Sequence, residues 1–463
     1  MNQKSFNRDL TEGNIAVQLI CFIGPLFLSN ILQTAYNVVD MAVVGRCTGN
    51  TGLSAVSICG DLVHILTFIA FGFANAGQVL ISHHTGARNW DSVKTLIGNL
   101  FTLLFIISAA FSVLSLVFWH PILLFANTPA AAMTDAGIYF RVSAAGLVFT
   151  YGYNAVSAVL RGMGDSRRPF IFVAIASLMN IALDLILVTG LGLGVFGAAF
   201  ATVFSQAFSF VVSVIYLYKN RDRFEFEFAR SCFSFNGPAV SSLVRLGIPM
   251  ALQSGLIQGS KLIVNRWINA YGVNISAITG VGSKFNNIGL TFSSAVGSSA
   301  SAMIGQCIGA RKYERVGKTI CVSALLAMVT SGLISLLVIG FPRPIFSIFT
   351  TEEHILSIAA FYAPVVVIML FSSAFRAPMN GLINGSGNPR LNLVLAFMDG
   401  IVGHIGLAAM LGFGFGLGLT GLWYGNALAG FIPFFVGLIY YFSGKWKTRV
   451  KSLSHTENGP AKL

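Results

Sequence analysis

Charge is what this chain has least of. Only 10% of its 463 residues are Asp, Glu, Lys or Arg, against 55% hydrophobic residues and a mean hydropathy of +0.76. So little polar surface cannot cover a water-soluble globule of this size, which leaves a membrane protein. Cysteine is also sparse: Cys21, Cys47, Cys59, Cys232, Cys307 and Cys321 show neither the paired spacing of a metal site nor a disulfide framework. Most fall in apolar runs and are expected to be inert core thiols. The motifs of common enzyme classes are missing: there is no glycine run ending in Gly-Lys-Ser/Thr, no His-Glu-x-x-His and no Gly-x-Ser-x-Gly. No catalysis and no cofactor are expected.

What is abundant is long apolar runs. A crossing needs about 20 mostly apolar residues, which predicts spans near 15 to 44, 52 to 82, 95 to 119, 135 to 160, 169 to 190 and 195 to 217. After a polar link come six more, near 242 to 268, 275 to 308, 316 to 340, 355 to 383, 391 to 412 and 418 to 442. The first run, about thirty residues, exceeds the apolar region of a cleaved signal peptide, so it is expected to remain in the mature chain.

The 29 basic against 16 acidic residues give a formal charge of +13, and their placement explains the excess without nucleic acid. The two tails and the loops after even-numbered spans carry 20 Lys and Arg, whereas the loops after odd-numbered spans carry only Arg46 and Arg343. The positive-inside rule then puts both termini in the cytoplasm of a twelve-span protein of the cell (plasma) membrane.

The chain also repeats. Gly86-Ala87-Arg88 recurs as Gly309-Ala310-Arg311, Gly162-Met-Gly164-Asp-Ser-Arg167 as Gly385-Ser-Gly387-Asn-Pro-Arg390, and Leu191-Gly-Leu-Gly-Val-Phe-Gly197 as Phe415-Gly-Leu-Gly-Leu-Thr-Gly421. The three matches come in the same order and at nearly one offset, which marks an internal duplication. The expected fold is therefore all-α, in two six-helix lobes related by a pseudo-twofold axis along the membrane normal. The divisions are 1–217 for the N-terminal lobe, 218–241 for a cytoplasmic connector, 242–442 for the C-terminal lobe and 443–463 for a cytoplasmic tail. Such a monomer suits rocking between inward-open and outward-open states.

Carboxylates inside spans are costly and mark function by default. Asp40 closes a stripe of Asn30, Gln33, Thr34, Asn37 and Asp40 on one face of span 1. Helix direction and residue count place Asp184 and Asn180 of span 5, Thr202 of span 6 and Tyr139 of span 4 at a similar depth in the outer half of the first lobe. Two carboxylates with neutral oxygen donors can hold a sodium ion at Asp40, Asn180, Asp184 and Thr202. They can equally share a proton, because neighbouring carboxylates in a low dielectric resist joint ionisation. The alternative for each residue is interhelical hydrogen bonding.

At the repeat offset Asp40 maps close to Val264 and Asp184 to Leu407, so the coupling site is expected once, in the first lobe. Asp399 and His404 in span 11 could form a second protonatable site or serve as structural hydrogen-bonding groups. Five residues apart, they should not share an α-helical face. Asp61 and His64 read as helix-packing groups; Arg141, Lys261 and Arg266 read as snorkelling cations near outer ends, with Trp267 as an interface anchor. Lys284 and Arg376 lie deeper and receive no role. Pro25, matched by Pro249, marks an expected bend in span 1.

The Asn37-Val-Val-Asp40-Met-Ala-Val-Val-Gly45 stretch, the Gly-Ala-Arg after span 2, the Arg161-Gly-Met-Gly-Asp-Ser loop and the two-lobe repeat together resemble the multidrug and toxic compound extrusion (MATE) family. The resemblance covers essentially the whole chain, and Asn180, Asp184 and Thr202 look like the N-lobe cation site of its DinF-like branch. It implies that Tyr36, Asp40, Tyr139, Asn180, Asp184 and Thr202 carry coupling, with Gln33, Asn37 and Asn154 as nearby polar positions that bear on substrate or coupling. The implied function is secondary active efflux of amphipathic, often cationic, small-molecule drugs or toxins in exchange for protons or sodium. The acidic residues that the NorM-like branch carries in the helices matching spans 7 and 10 are missing here, which favours N-lobe coupling. A lipid-linked precursor flippase of the same superfamily is the alternative, and it would call for more basic residues lining the cavity than Lys284 and Arg376 supply.

Overall fold

The computed structural model describes residues 9–221, 233, 235–347 and 352–447. Cys232, half of the expected connector and the tail beyond residue 447 lie outside the described residues. Among those described, every regular element is helical. The helices follow the predicted spans closely, because each apolar run is long enough to satisfy its backbone hydrogen bonds internally, as hydrocarbon demands.

Spans 1 and 2 form one helical run, Ile15–Gly86, broken at Gly49, where φ is 69° and ψ −162°. Trp90–Val117 is span 3; Met133–Ala145 and Leu147–Gly162 make span 4, with a break at Gly146. Arg167–Asp184, continued by a π-helical turn at Leu185–Gly190, is span 5, and Gly194–Lys219 is span 6. The second half runs Gly237–Asn269, Val273–Gly309, Tyr313–Gly340 and Glu353–Gly385 for spans 7 to 10. Span 11 is Pro389–Phe397 followed by π-helical stretches at Met398–Leu407 and Met410–Gly414, and span 12 is Gly418–Ala429 with Ile432–Phe442. In span 8, small and polar residues replace large aliphatic ones where the helix is packed on all sides; Ser299 to Gly309 are all buried. The helix continues through both Pro25 and Pro249.

The repeat seen in the sequence is a repeat of backbone geometry. The left-handed residues Arg88 and Arg311 (φ 56° and 58°), Gly164 and Gly387 (91° and 65°), Gly192 and Gly416 (67° and 68°) stand at matching places. Close helix contacts recur too: a Cβ on Gly162 would lie 2.8 Å from the Gln78 carbonyl oxygen, and one on Gly385 would lie 2.8 Å from that of Ser301. Glycine is needed at both because backbone cannot move aside as a side-chain tip can.

Two compact units emerge. One holds Gly24–Ala251; the other takes Asp9–Ile23 together with the chain from Leu252 on. The start of span 1 thus belongs with the second unit, where the Leu10 amide donates to Gln306 Oε1 (3.1 Å) and Arg315 donates to the Gly13 carbonyl (3.0 Å). The first unit has an apolar cluster around Val44, Val56, Tyr139, Phe140 and Val195. The second centres on Trp423, whose ring meets Tyr362 edge-on and whose Nε1–H donates to Thr279 Oγ1 at 3.0 Å. Of the five described cysteines, Cys59 and Cys307 are buried, but Cys47 and Cys321 are exposed, so not all are core thiols.

Candidate functional site

In the first unit, span 5 changes from α to π geometry immediately after Asp184. Such turns widen a helix locally and are common at functional sites. Asp184 is fully buried and Asp40 is 7% exposed. Their carboxyl groups are near enough to act directly on one another, and Tyr36 and Tyr139 lie within reach of both charges. Asn180, one turn before Asp184, donates through Nδ2 to Thr202 Oγ1 of span 6 at 3.3 Å.

The oxygen atoms of this cluster are poorly served by the protein. Both carboxylate oxygens of Asp184, Asp40 Oδ1 and Asn180 Oδ1 are buried without a hydrogen-bond partner of ordinary geometry. A native interior rarely leaves four such acceptors in one place, and buried acceptors gain most from a cation or a proton. The donor set, carboxylate and amide oxygens with a hydroxyl beside them, suits a hard monovalent cation or a proton and does not suit a soft metal. Among the described residues no group of three or more His, Cys, Asp or Glu forms a metal centre.

The structure thus brings together Asp40, Asp184, Tyr36 and Tyr139, with the Asn180 and Thr202 pair adjoining. Gln206, which the sequence reasoning passed over, hydrogen-bonds Tyr36. It stands four residues after Thr202 on the same face of span 6, and that spacing was the available signal. Asn154 is buried but spends its amide on the Thr150 carbonyl (2.8 Å) in its own helix; Gln33 is half-buried and Asn37 exposed. Asp61 and His64 are both exposed, and the His64 ring packs on Phe68.

A second polar cluster sits in the other unit, and it corrects three expectations. Asp399, fully buried, is paired with Arg376 of span 10, which supplies the role that Arg376 lacked. His404 does approach Asp399, with Nε2 3.9 Å from Oδ1, although α-helical geometry would set residues five apart about 140° around the axis. The reason is that Met398–Leu407 is π-helical, so hydrogen bonds run i→i+5 and residues five apart come nearly into line. Lys261 does not snorkel outward: it lines a small pocket with Arg376, His404, Asn286 and Asn426. Arg141 does stay at the surface, over the Trp119 ring at 4.8 Å, and Lys284 is exposed.

The two clusters occupy equivalent places. The offset that relates Gly192 to Gly416 also carries Asn180 to His404 and Thr202 to Asn426. The hydrogen bond between the first pair is matched by one between His404 Nδ1 and Asn426 Oδ1 at 2.7 Å. The same offset carries Asp40 to Val264, which is wholly buried in the apolar core of the second unit.

Comparison with known proteins agrees with this duplicated plan. The family model MatE matches the chain twice, over residues 25–186 and 249–410, and the two matches stand at that same offset. The chain is 31% identical over 343 residues to the probable multidrug resistance protein YoeA of Bacillus subtilis (strain 168), covering 73% of this chain and 74% of that one. It is 26% identical over 445 residues to the probable multidrug resistance protein YpnP of the same organism, covering 95% and 97%. Among solved structures, the outward-facing conformation of a multidrug resistance MATE family transporter of the MOP superfamily superposes with a TM-score of 0.87 at 20% identity, covering 98% of this chain and all of that one.

Proposed function

Because the chain belongs to the multidrug and toxic compound extrusion family, we propose that it is a secondary active efflux transporter. It exports amphipathic, often cationic, compounds in exchange for protons or sodium ions by alternating access. The observation that carries this reading is the buried pair Asp40 and Asp184, three of whose four carboxylate oxygens are buried without a hydrogen-bond partner of ordinary geometry. Two adjacent carboxylates in a low dielectric resist joint ionisation, so each favours the uptake of one positive charge. Occupancy of that site by the coupling ion biases the lobe toward one conformation, and a substrate that binds the other conformation better is expelled as the ion enters. The printed names of the relatives, multidrug resistance proteins, support the substrate class. The protein works as a monomer in the plasma membrane with both termini in the cytoplasm, in keeping with the basic loops after even-numbered spans.

The test is transport of rhodamine 6G, a cationic dye, by proteoliposomes carrying wild type or Asp40→Asn under an imposed proton or sodium gradient. Wild-type movement that follows one gradient and vanishes in the mutant is expected and names the ion. Undiminished movement in the mutant removes Asp40 from coupling, and no movement by either protein points instead to a lipid-linked precursor.

A further inference from the structure

The pocket of the second unit lies where the repeat places the counterpart of the carboxylate site, yet its wall has the opposite charge. Lys261 and Arg376 line it, and no acidic residue does. Asp399, which pairs with Arg376, is fully buried and is not part of the pocket lining. Lys261 has no ion pair within 4.0 Å among the described residues and only shares the field of the same Asp399 with Arg376. The repeat makes the reversal explicit, since Lys261 follows Asn37, and Val264 follows Asp40, at the offset that relates Gly192 to Gly416. One buried carboxylate thus faces two cations; the excess positive charge is costly in a membrane interior, and an anion in the pocket removes that cost.

We propose that this pocket is an anion site that takes the carboxylate group of an amphipathic substrate, with Lys261 as its principal contact and Arg376 as its second. The cavity volume is about 30 Å3. That is room for about two water molecules, hence for a carboxylate head and not for a whole drug. Leu290 and Met369, which also line the pocket, offer an apolar surface to the organic part next to the head group, which a bare inorganic ion would not use. The proposal rests on the efflux reading and extends it: zwitterionic or acidic compounds join the cationic ones as substrates.

The experiment compares two dyes that differ only at the carboxyl group, rhodamine 110 with a free carboxylate and rhodamine 123, its methyl ester. Their binding to the full-length protein in lipid nanodiscs is read by fluorescence anisotropy, which does not depend on ion-coupled turnover. Failure here is thus distinguishable from failure of the efflux reading, which shows in the dye transport of Asp40→Asn. Wild type is expected to bind rhodamine 110 about tenfold more tightly than rhodamine 123, the worth of one charge-assisted contact. Lys261→Gln should bring rhodamine 110 to the level of the ester, Lys261→Arg should retain most of the preference, and binding of the ester should not weaken in either variant, which also reports an intact fold. Sodium acetate competing with rhodamine 110 in wild type assigns the site to free carboxylates as well; acetate without effect assigns it to the carboxylate of a larger substrate alone. Equal affinity for the two dyes in wild type, no binding of rhodamine 110, or equal weakening of both dyes by Lys261→Gln overturns the proposal.

Discussion

Asp184→Asn separates a carboxylate that exists to take up a cation from one that merely ties helices together. Asp184 is wholly buried and neither oxygen has a hydrogen-bond partner of ordinary geometry, its near neighbour being another carboxyl group, that of Asp40. An ionised carboxylate at such depth costs roughly 2.5–3.5 kcal/mol. Asparagine removes the charge at nearly constant volume, and its amide can donate to the unpartnered Asp40 Oδ1 nearby. The expected change is a stabilisation between zero, where the native pair already holds a proton, and about 3 kcal/mol, where Asp184 is ionised at rest. At about 2–4 °C per kcal/mol for a unit of this size, the melting temperature in detergent should stay level or rise by up to roughly 10 °C. Efflux against a gradient should fall to background in the same preparation. A fall in melting temperature beyond about 5 °C would refute the argument, because it would mean that hydrogen bonds to the carboxylate hold the lobe together.

Arg376→Ala should have the opposite effect, costing roughly 3–5 kcal/mol because it strands the buried Asp399 without its partner; thermal melting checks this, and Arg376→Met combined with Asp399→Leu should recover most of the loss. Gly162→Ala and Gly385→Ala each drive a Cβ to 2.8 Å from a backbone carbonyl, so each should cost roughly 1–3 kcal/mol; similar losses in the two melting curves are expected, since the contact is the same one in both repeats.

The twelve spans were legible in the sequence because the bilayer imposes a length and an apolar composition on every crossing, and both are local properties of the chain. The repeat was legible for a related reason: Arg88 and Arg311, or Gly192 and Gly416, hold backbone angles that recur wherever the same turn recurs. Asp40 and Asp184 could be brought together from helix direction and residue count alone, since straight antiparallel helices convert sequence position into depth. Gln206 escaped that reasoning because depth says nothing of which side chain turns toward Tyr36.

The sequence by itself determined that this protein lives in a membrane, that its two halves share one architecture and that the Asp40 and Asp184 pair has no counterpart in the second half. Only the tertiary structure decided what happens at Lys261, Arg376, Asp399 and His404. A lysine near a span's end reads as a surface cation until packing turns it inward. The Asp399 and His404 pair was hidden because the rotation per residue changes where span 11 turns from α to π. Periodicity assumes a constant helix, whereas the pitch of each turn is set by the neighbours that pack against it.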